Sequence, residues 1–209
     1  MKTLNVADVE RDFYLHNFAQ ETDRAAAVLG GAFVDARLEH VLRKRLSANQ
    51  DELLGHMGPL GTFSARIDLA WGLRWVDSDS AHDLHVIRKI RNDFAHHLDS
   101  ELSFESQSIA DRCRNFRSAD AHLRGDEKAK ERNPNVSTAI IDGWISKFSS
   151  PRWRFHIAVE SLDQILIAVS EHEPSKYHGP SLVDECYQST AQLIYRVKAT
   201  ATVGTPYQN

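Results

Sequence analysis

The chain has little of what marks secreted or membrane proteins. Its 209 residues include only two cysteines, Cys113 and Cys186, which are far apart and form no Cys-x-x-Cys pair. This usage suits a reducing cytosol and argues against a disulfide scaffold or a structural zinc site. The longest apolar run, around residues 165–169, is too short to span a membrane, and the charges from Asp8 onward leave no apolar core for a signal peptide. We therefore expect a cytosolic protein with no membrane partner.

Motifs for nucleotide cofactors and for serine hydrolases are also missing. The chain has no glycine-rich dinucleotide fingerprint, no phosphate-binding loop with its lysine and no Gly-x-Ser-x-Gly turn. Its formal net charge of −4 provides no overall basic field for DNA, and no short basic recognition helix follows a glycine turn. We expect no cofactor, and any contact with nucleic acid has to be local.

Apolar residues recur at helical spacing along nearly the whole chain. With 42% hydrophobic and 26% charged residues, the composition fits one globular domain with a sizeable core. We predict a single all-α domain over residues 1–209, a multi-helix bundle, with an exposed loop at 124–135 and a linker at 173–180 before a C-terminal helix. The predicted helices span residues 6–46, 63–76, 80–98, 106–116, 137–148, 153–171 and 181–198.

Two of these helices are joined by a tight turn. Thr62 is a predicted N-cap for residues 63–76, and residues 77–80 form a turn that caps the helix at 80–98. So short a connection predicts a central antiparallel helical hairpin. Earlier in the chain, Gly30-Gly31 interrupts the first helix and predicts either a kink or a close helix crossing.

The helix at 80–98 carries the most informative residues. Its apolar positions mark one face and are Leu84, Ile87, Ile90, Phe94, Ala95 and Leu98. At about 100° per residue, Arg91 falls inside this apolar face. A guanidinium stays charged, so Arg91 needs either a structural partner, such as a buried carboxylate or a carbonyl, or a ligand. The sequence leaves both interpretations open.

Another face of the same helix is rich in hydrogen-bond donors. Its residues are His82, His85, Arg88, Lys89, Asn92 and His96. Such a strip suits an anion, for example a phosphate or a nucleic-acid backbone, although a solvated outer face has the same composition. His82 and His85 have the spacing of metal ligands but lack a glutamate and a third ligand, so we predict no metal site.

Several short motifs around this helix occur in a fixed order. They are Gly58-Pro59-Leu60, Phe63-Ser64-Ala65-Arg66-Ile67-Asp68-Leu69-Ala70, Asp83-Leu84, Ile87-Arg88, Ile90-Arg91-Asn92 and Phe94-Ala95-His96. Together they resemble the MltR family, the mannitol operon repressor-like proteins, over residues 53 to 106, about a quarter of the chain. The resemblance implies an all-helical cytosolic protein, assigned to negative regulation of transcription, without a recognisable DNA-binding domain. We therefore expect action through a regulatory protein or a small ligand.

The stretch Arg91-Asn92-Asp93-Phe94-Ala95-His96 is also similar to the Arg-(x)4-His motif of HEPN domains. These domains are helical bundles, often dimeric and often metal-independent RNases. The resemblance implies that Arg91 steadies the phosphate, that Asn92 belongs to the site and that His96 acts in general acid–base chemistry on the ribose hydroxyl. His97 is a possible substitute base, and RNA is then the partner.

Spacing along the helix restricts how Arg91 and His96 can act together. Because they are five residues apart, they point roughly 140° away from each other on a regular helix. One phosphate meets both only where the helix is distorted or where two chains meet across a two-fold axis. We expect a homodimer with the helix at 80–98 at or near its interface, and a regulator is as compatible with the motif as an RNase.

Overall fold

Helices account for the secondary structure of the residues that the structure describes. A computed structural model describes residues 18, 20–97, 101–121, 146 and 149–171, and within these residues there are helices and no β-strand. The prediction of an all-α multi-helix bundle is therefore confirmed. Residues 117–121 are helical. Six further helices, named α1 to α6 in chain order, span Asp23–Arg45, Gln50–Leu54, Phe63–Gly72, Ser78–His96, Gln107–Arg114 and Pro151–Glu171.

The longest helix, α1, begins directly after its N-cap residue. Thr22 has an extended backbone, and its Oγ1 accepts a hydrogen bond from Ala25 N at 3.2 Å, which satisfies a free amide of the first turn. The helix runs through Gly30 and Gly31, both buried. A Cβ placed on Gly31 would lie 2.6 Å from Arg91 Cβ of α4, so the predicted close helix crossing is confirmed. The prediction of one helix over residues 6–46 was wrong, because residues 20–22 are not helical and α1 begins only at Asp23. The predicted start at residue 6 lies outside the described residues.

Helix α1 lies at the centre of the bundle, because α3, α4 and α6 all pack against it. An ion pair crosses the interface with α6: Arg37 Nε donates to Asp163 Oδ1 at 2.6 Å, and both side chains are almost fully buried. Two charges so far from water depend on each other for stability. Aromatic rings also connect α4 to α6, with centroids 5.3 and 5.2 Å apart in the series Phe94, Phe104 and Phe155.

The connection between α3 and α4 differs from the prediction. Thr62 caps α3 as expected, but the helix ends at Gly72, four residues before the predicted end. The chain turns there because the backbone of Arg74 is left-handed, with φ of 57°. Asp77 then caps α4 by accepting a hydrogen bond from Ser80 N at 2.7 Å. The two helices pack against each other, and their antiparallel orientation as a central hairpin stays a prediction.

The remaining predicted segments fall into two groups. Helices α5 and α6 begin and end within two residues of the predicted ranges 106–116 and 153–171. The predicted loop at 124–135, the linker at 173–180, the C-terminal helix and almost all of the helix at 137–148 lie outside the described residues. Among the helices that are described, none has the length and apolar character needed to cross a membrane.

Candidate functional site on helix α4

The predicted apolar face of α4 is buried along most of the helix. Leu84, Ile87, Ile90 and Phe94 are fully inaccessible to solvent. The placement of Ala95 on this face was wrong, because Ala95 is exposed in the last turn. Leu98, the last residue of the predicted face, lies outside the described residues.

Arg91 packs against α1 at the glycine crossing. Its Cβ and Cγ lie 2.6 and 2.7 Å from the point that a Cβ on Gly31 would occupy, so the approach is possible only because residue 31 has no side chain. Arg91 is half-buried, and its Nη1 donates to Asn92 Oδ1 at 3.1 Å. Two residues of the Arg-(x)4-His motif are thus bonded to each other beside a neighbouring helix.

A carboxylate of α1 lies within the electrostatic field of Arg91. Burial raises the pKa of Asp35 above its ordinary value, and the positive charges of Arg66 and Arg91 act in the opposite direction. Arg66, itself buried, pairs with Asp35 Oδ1 at 2.6 Å and with Glu39 Oε2 at 3.1 Å. The charge of Arg91 therefore acts on a carboxylate of α1, which is weaker support for the structural interpretation than a direct ion pair. Since Arg66 makes the direct hydrogen bond to it, the ligand-binding interpretation of Arg91 also stays open.

The first two residues of the predicted donor strip contact the protein itself. His82 Nε2 lies 3.1 Å from Asn115 O, just after α5, and His85 Nε2 lies 3.2 Å from Asp68 Oδ1 of α3. Each histidine is half-buried. The N-terminal part of the strip thus links α4 to neighbouring segments.

Two of the remaining residues of the strip reach solvent. Lys89 and His96 are exposed, while Arg88 and Asn92 are half-buried. Helix α4 is regular as far as His96, so Arg91 and His96 point roughly 140° apart. A single chain does not direct both side chains at one phosphate, and a composite site needs a second chain.

The C-terminal end of α4 is held by a side chain of α1. Arg24 donates to Phe94 O and, at 2.7 Å, to His97 O, and so satisfies carbonyl groups that are left without helix partners. The possible substitute base His97 has its Nδ1 2.9 Å from Asp93 O. Asp93, inside the motif, forms an ion pair with Arg112 of α5. The end of the motif is therefore packed against both neighbouring helices.

Two buried titratable groups lie away from α4. Burial raises the pKa of the Cys113 thiol to about 12, which keeps it protonated and unreactive at neutral pH. Burial, together with the charge of Arg152, lowers the pKa of His156 to about 4. Within the ranges that the structure describes, no group of three or more histidine, cysteine or acidic residues could hold a metal ion.

Sequence reasoning missed two α1 residues that shape this site, Asp35 and Arg24. Asp35 lies one helical turn after Gly31, on the same face of α1. The prediction of a close crossing at Gly31 could therefore have indicated that Asp35 is near α4. No comparable local signal points to Arg24, because its contacts with the end of α4 depend on how the helices pack.

The site combines the half-buried guanidinium of Arg91, the side-chain amide of Asn92 that is hydrogen-bonded to it, and the exposed donors Lys89 and His96 near the C-terminal end of α4. These groups can bind an anionic or protein ligand within one chain, whereas acid–base chemistry on RNA requires two chains. Comparison with protein-family models, with curated proteins and with solved structures found no match for the chain.

Proposed function

We propose that the protein is a cytosolic negative regulator of transcription of the MltR type. It acts indirectly, through a protein or small-ligand partner, and does not itself read DNA grooves. The regulatory role rests on the sequence resemblance, and one observation supports the indirect mechanism: most arginines of the described residues bind groups of the protein itself.

Proteins that bind DNA directly present arginine and lysine side chains to phosphates. Here Arg154 donates to Cys113 O at 2.8 Å and to Asp120 Oδ1 at 2.6 Å, and Arg152 donates to Asp23 Oδ1 at 2.6 Å. Other internal ion pairs are Arg37–Asp163, Arg66–Asp35, Arg112–Asp93 and Arg117–Asp79. Among the described residues most arginine charges are thus engaged within the protein, which, together with the net charge of −4, supports an indirect mechanism.

The first experiment tests for direct DNA binding. The full-length protein is titrated against a pool of random-sequence duplex DNA at low and at physiological salt. We expect weak binding that selects no sequence, and the same result for Lys89→Glu, which reverses an exposed charge on α4. Tight, sequence-selective binding with a steep salt dependence would contradict the proposal.

The second experiment tests for regulation in the cell. Transcripts are profiled in a strain that lacks the gene and in the same strain complemented with wild type or with His96→Ala. We expect a set of transcripts to rise on deletion and both proteins to restore repression, because an indirect regulator does not need an acid–base catalyst. If no transcript rises on deletion, the protein is not a negative regulator.

A second candidate function, a HEPN-type metal-independent RNase, has one specific observation in its favour. Arg91 and Asn92 are hydrogen-bonded to each other at 3.1 Å, and His96 is exposed at the end of the same helix. In this alternative Arg91 binds phosphate and His96 of a second chain acts as the acid–base group, so the protein has to be a homodimer. Sedimentation that finds only monomer at micromolar concentration would count against it.

His96→Ala separates the two candidates better than Arg91→Ala does. Arg91 packs in a helix crossing, so its loss affects stability, whereas loss of the exposed His96 should change the unfolding free energy by less than about 1 kcal/mol. Wild type and His96→Ala, matched for thermal stability, are incubated with a mixed RNA pool in EDTA. Cleavage by wild type alone favours the RNase. RNA that survives both proteins excludes it under those conditions.

A further inference from the structure

The turn after α3 has a hydrogen-bond pattern that usually contains glycine. Trp75 N donates to Ala70 O and Arg74 N donates to Trp71 O, both at 2.9 Å, which is the paired arrangement of a Schellman motif. The residue in the left-handed conformation is Arg74, with φ of 57°. Glycine is the usual residue there because a side chain makes this conformation unfavourable.

The glycine of this segment lies two positions earlier, where the fold does not require it. Gly72 is the last residue of α3, and a Cβ added to it would meet nothing within 4 Å. Alanine is the better helix former at such a position. The segment thus has an unfavourable residue at two positions: glycine within the helix at Gly72, and a residue with a side chain in the left-handed conformation at Arg74. Such unfavourable positions are found especially at functional sites.

All four residues from 71 to 74, called here the 71–74 turn, are exposed. Among the described residues four large hydrophobic side chains are exposed, and two of them are in this turn: Trp71 at 53% and Leu73 at 47%. Tryptophan and arginine are the residue types that most often dominate binding energy in protein interfaces. Because the hydrogen bond between Arg74 N and Trp71 O closes the turn, these side chains project from one small region.

Positive side chains lie in and beside the turn, which Asp68 and Asp77 flank in sequence. Arg74 is exposed, and the half-buried Arg45 of α1, which donates to Val169 O, stacks on the neighbouring Trp75 with its Cζ 5.0 Å from the ring centroid. Lys44, adjacent to Arg45 in the last turn of α1, is exposed as well. A basic and apolar surface complements a partner that is acidic and apolar.

We propose that the 71–74 turn is the docking surface for an acidic amphipathic segment of a partner protein. Trp71 and Leu73 contact the apolar side chains of that segment, Arg74 pairs with a carboxylate, and Gly72 lets the partner's backbone approach closely. This inference rests on the proposed function, because a regulator that acts through a protein partner needs a surface that binds it.

The test uses two synthetic peptide pools with the same length and the same content of leucine and phenylalanine. One pool carries aspartate and glutamate, the other lysine and arginine, and each is titrated with the full-length protein by fluorescence anisotropy. Wild type should bind the acidic pool and not the basic one. Trp71→Ala should weaken this binding about 30-fold, as loss of a central aromatic anchor does, and Arg74→Glu should weaken it at least about tenfold.

Two matched variants serve as controls. Met57→Ala removes a side chain that is 93% exposed but lies outside the turn, and Arg114→Glu reverses an exposed charge on α5, away from both the turn and the candidate site on α4. Both should bind the acidic pool as wild type does. If Trp71→Ala loses its helical circular dichroism spectrum, Leu73→Ala takes its place.

Three results would overturn the proposal. The first is that neither pool binds wild type. The second is that the acidic pool binds Trp71→Ala and Arg74→Glu as tightly as wild type, and the third is that sedimentation shows a wild-type dimer that Trp71→Ala dissociates. The last result would assign the turn to a second copy of the chain. The DNA, transcript and RNA assays test the proposed function separately, so a failed peptide titration with intact repression removes the docking surface alone.

Discussion

Gly31 and Gly72 both lie in α-helices, but their surroundings are opposite. A Cβ on Gly31 would come within 2.6 Å of Arg91 Cβ, whereas a Cβ on Gly72 would meet nothing within 4 Å. Gly31 is buried where α1 crosses α4, and Gly72 is exposed where α3 ends. The helix with the Arg-(x)4-His motif is therefore close-packed, and the turn after α3 is open.

The difference separates two kinds of residue. At the α1–α4 crossing, packing and paired charges hold the side chains, so substitutions there should lower stability. In the 71–74 turn, an unfavourable backbone conformation and apolar side chains face solvent, so substitutions there should raise stability or leave it unchanged. Four predictions test this contrast.

The largest effect is expected from acid, which should weaken the packed interior. His156 of α6 stacks on Phe18 with ring centroids 4.3 Å apart, and burial lowers its pKa from 6.5 to about 4. Between these pH values the unfolded chain binds the proton more readily than the folded one. The free energy of unfolding should therefore fall by about 3 kcal/mol as the pH drops from 6.5 to 4 and then show no further contribution from this group.

Urea denaturation at a series of pH values measures this effect. His156→Phe keeps a ring against Phe18 but cannot be protonated, so its unfolding free energy should lack this part of the pH dependence. Identical pH profiles for wild type and His156→Phe would contradict the prediction.

Gly31→Ala should destabilise the protein by about 1 kcal/mol. Overpacking against Arg91 costs roughly 1–3 kcal/mol, and the higher helix propensity of alanine offsets about 1 kcal/mol of that cost. The midpoint of urea denaturation reports the change. Arg91→Gly should relieve the contact. The double variant Gly31→Ala/Arg91→Gly should therefore lose less unfolding free energy than the two single variants lose in total. Strict additivity would mean that the two residues do not touch.

Arg74→Gly should stabilise the protein by about 1 kcal/mol, because glycine adopts the left-handed conformation at φ of 57° without the cost that a side chain adds. Arg74→Ala removes the same charge but keeps a Cβ, so it should show no such gain in thermal denaturation. A loss of stability in Arg74→Gly would mean that the arginine side chain makes a stabilising contact in the fold.

Gly72→Ala should stabilise the protein by about 0.5 kcal/mol, the smallest of the four effects. The added methyl group meets no atom within 4 Å, and alanine is favoured over glycine in a helix. Thermal denaturation of Gly72→Ala and Gly31→Ala, measured side by side, compares the same substitution in both regions. The two changes in stability should have opposite signs, and equal losses would remove the contrast between the two glycines.

Several features of the fold followed from short stretches of sequence. The spacing of Leu84, Ile87, Ile90 and Phe94 correctly predicted the buried face of α4. Thr62 was correctly predicted as a cap, because a cap depends on the residue itself and on the amides of the next turn. The cap of α4 was predicted within residues 77–80, but α4 begins at Ser78, so only Asp77 of these four residues lies outside the helix. The end of α3 was not predicted, since its left-handed residue is an arginine and the usual glycine signal is missing.

The candidate site was predictable only in part. The sequence identified Arg91, Asn92 and His96 through their spacing, and a regular α4 keeps Arg91 and His96 on different sides of the helix. The partners of His82 and His85 were not predictable, because Asn115 and Asp68 approach them from other segments.

Local sequence was sufficient for the helical class of this protein, for most limits of the described helices and for the amphipathic character of α4, since periodicity and capping involve residues within one or two turns. Tertiary packing was needed to place Gly31 against Arg91, to bring Asp35 into its field and to direct Arg24 to the end of α4. It also left the 71–74 turn exposed. The physical reason is that these contacts join residues far apart in the chain, and their geometry exists only once the helices pack around α1.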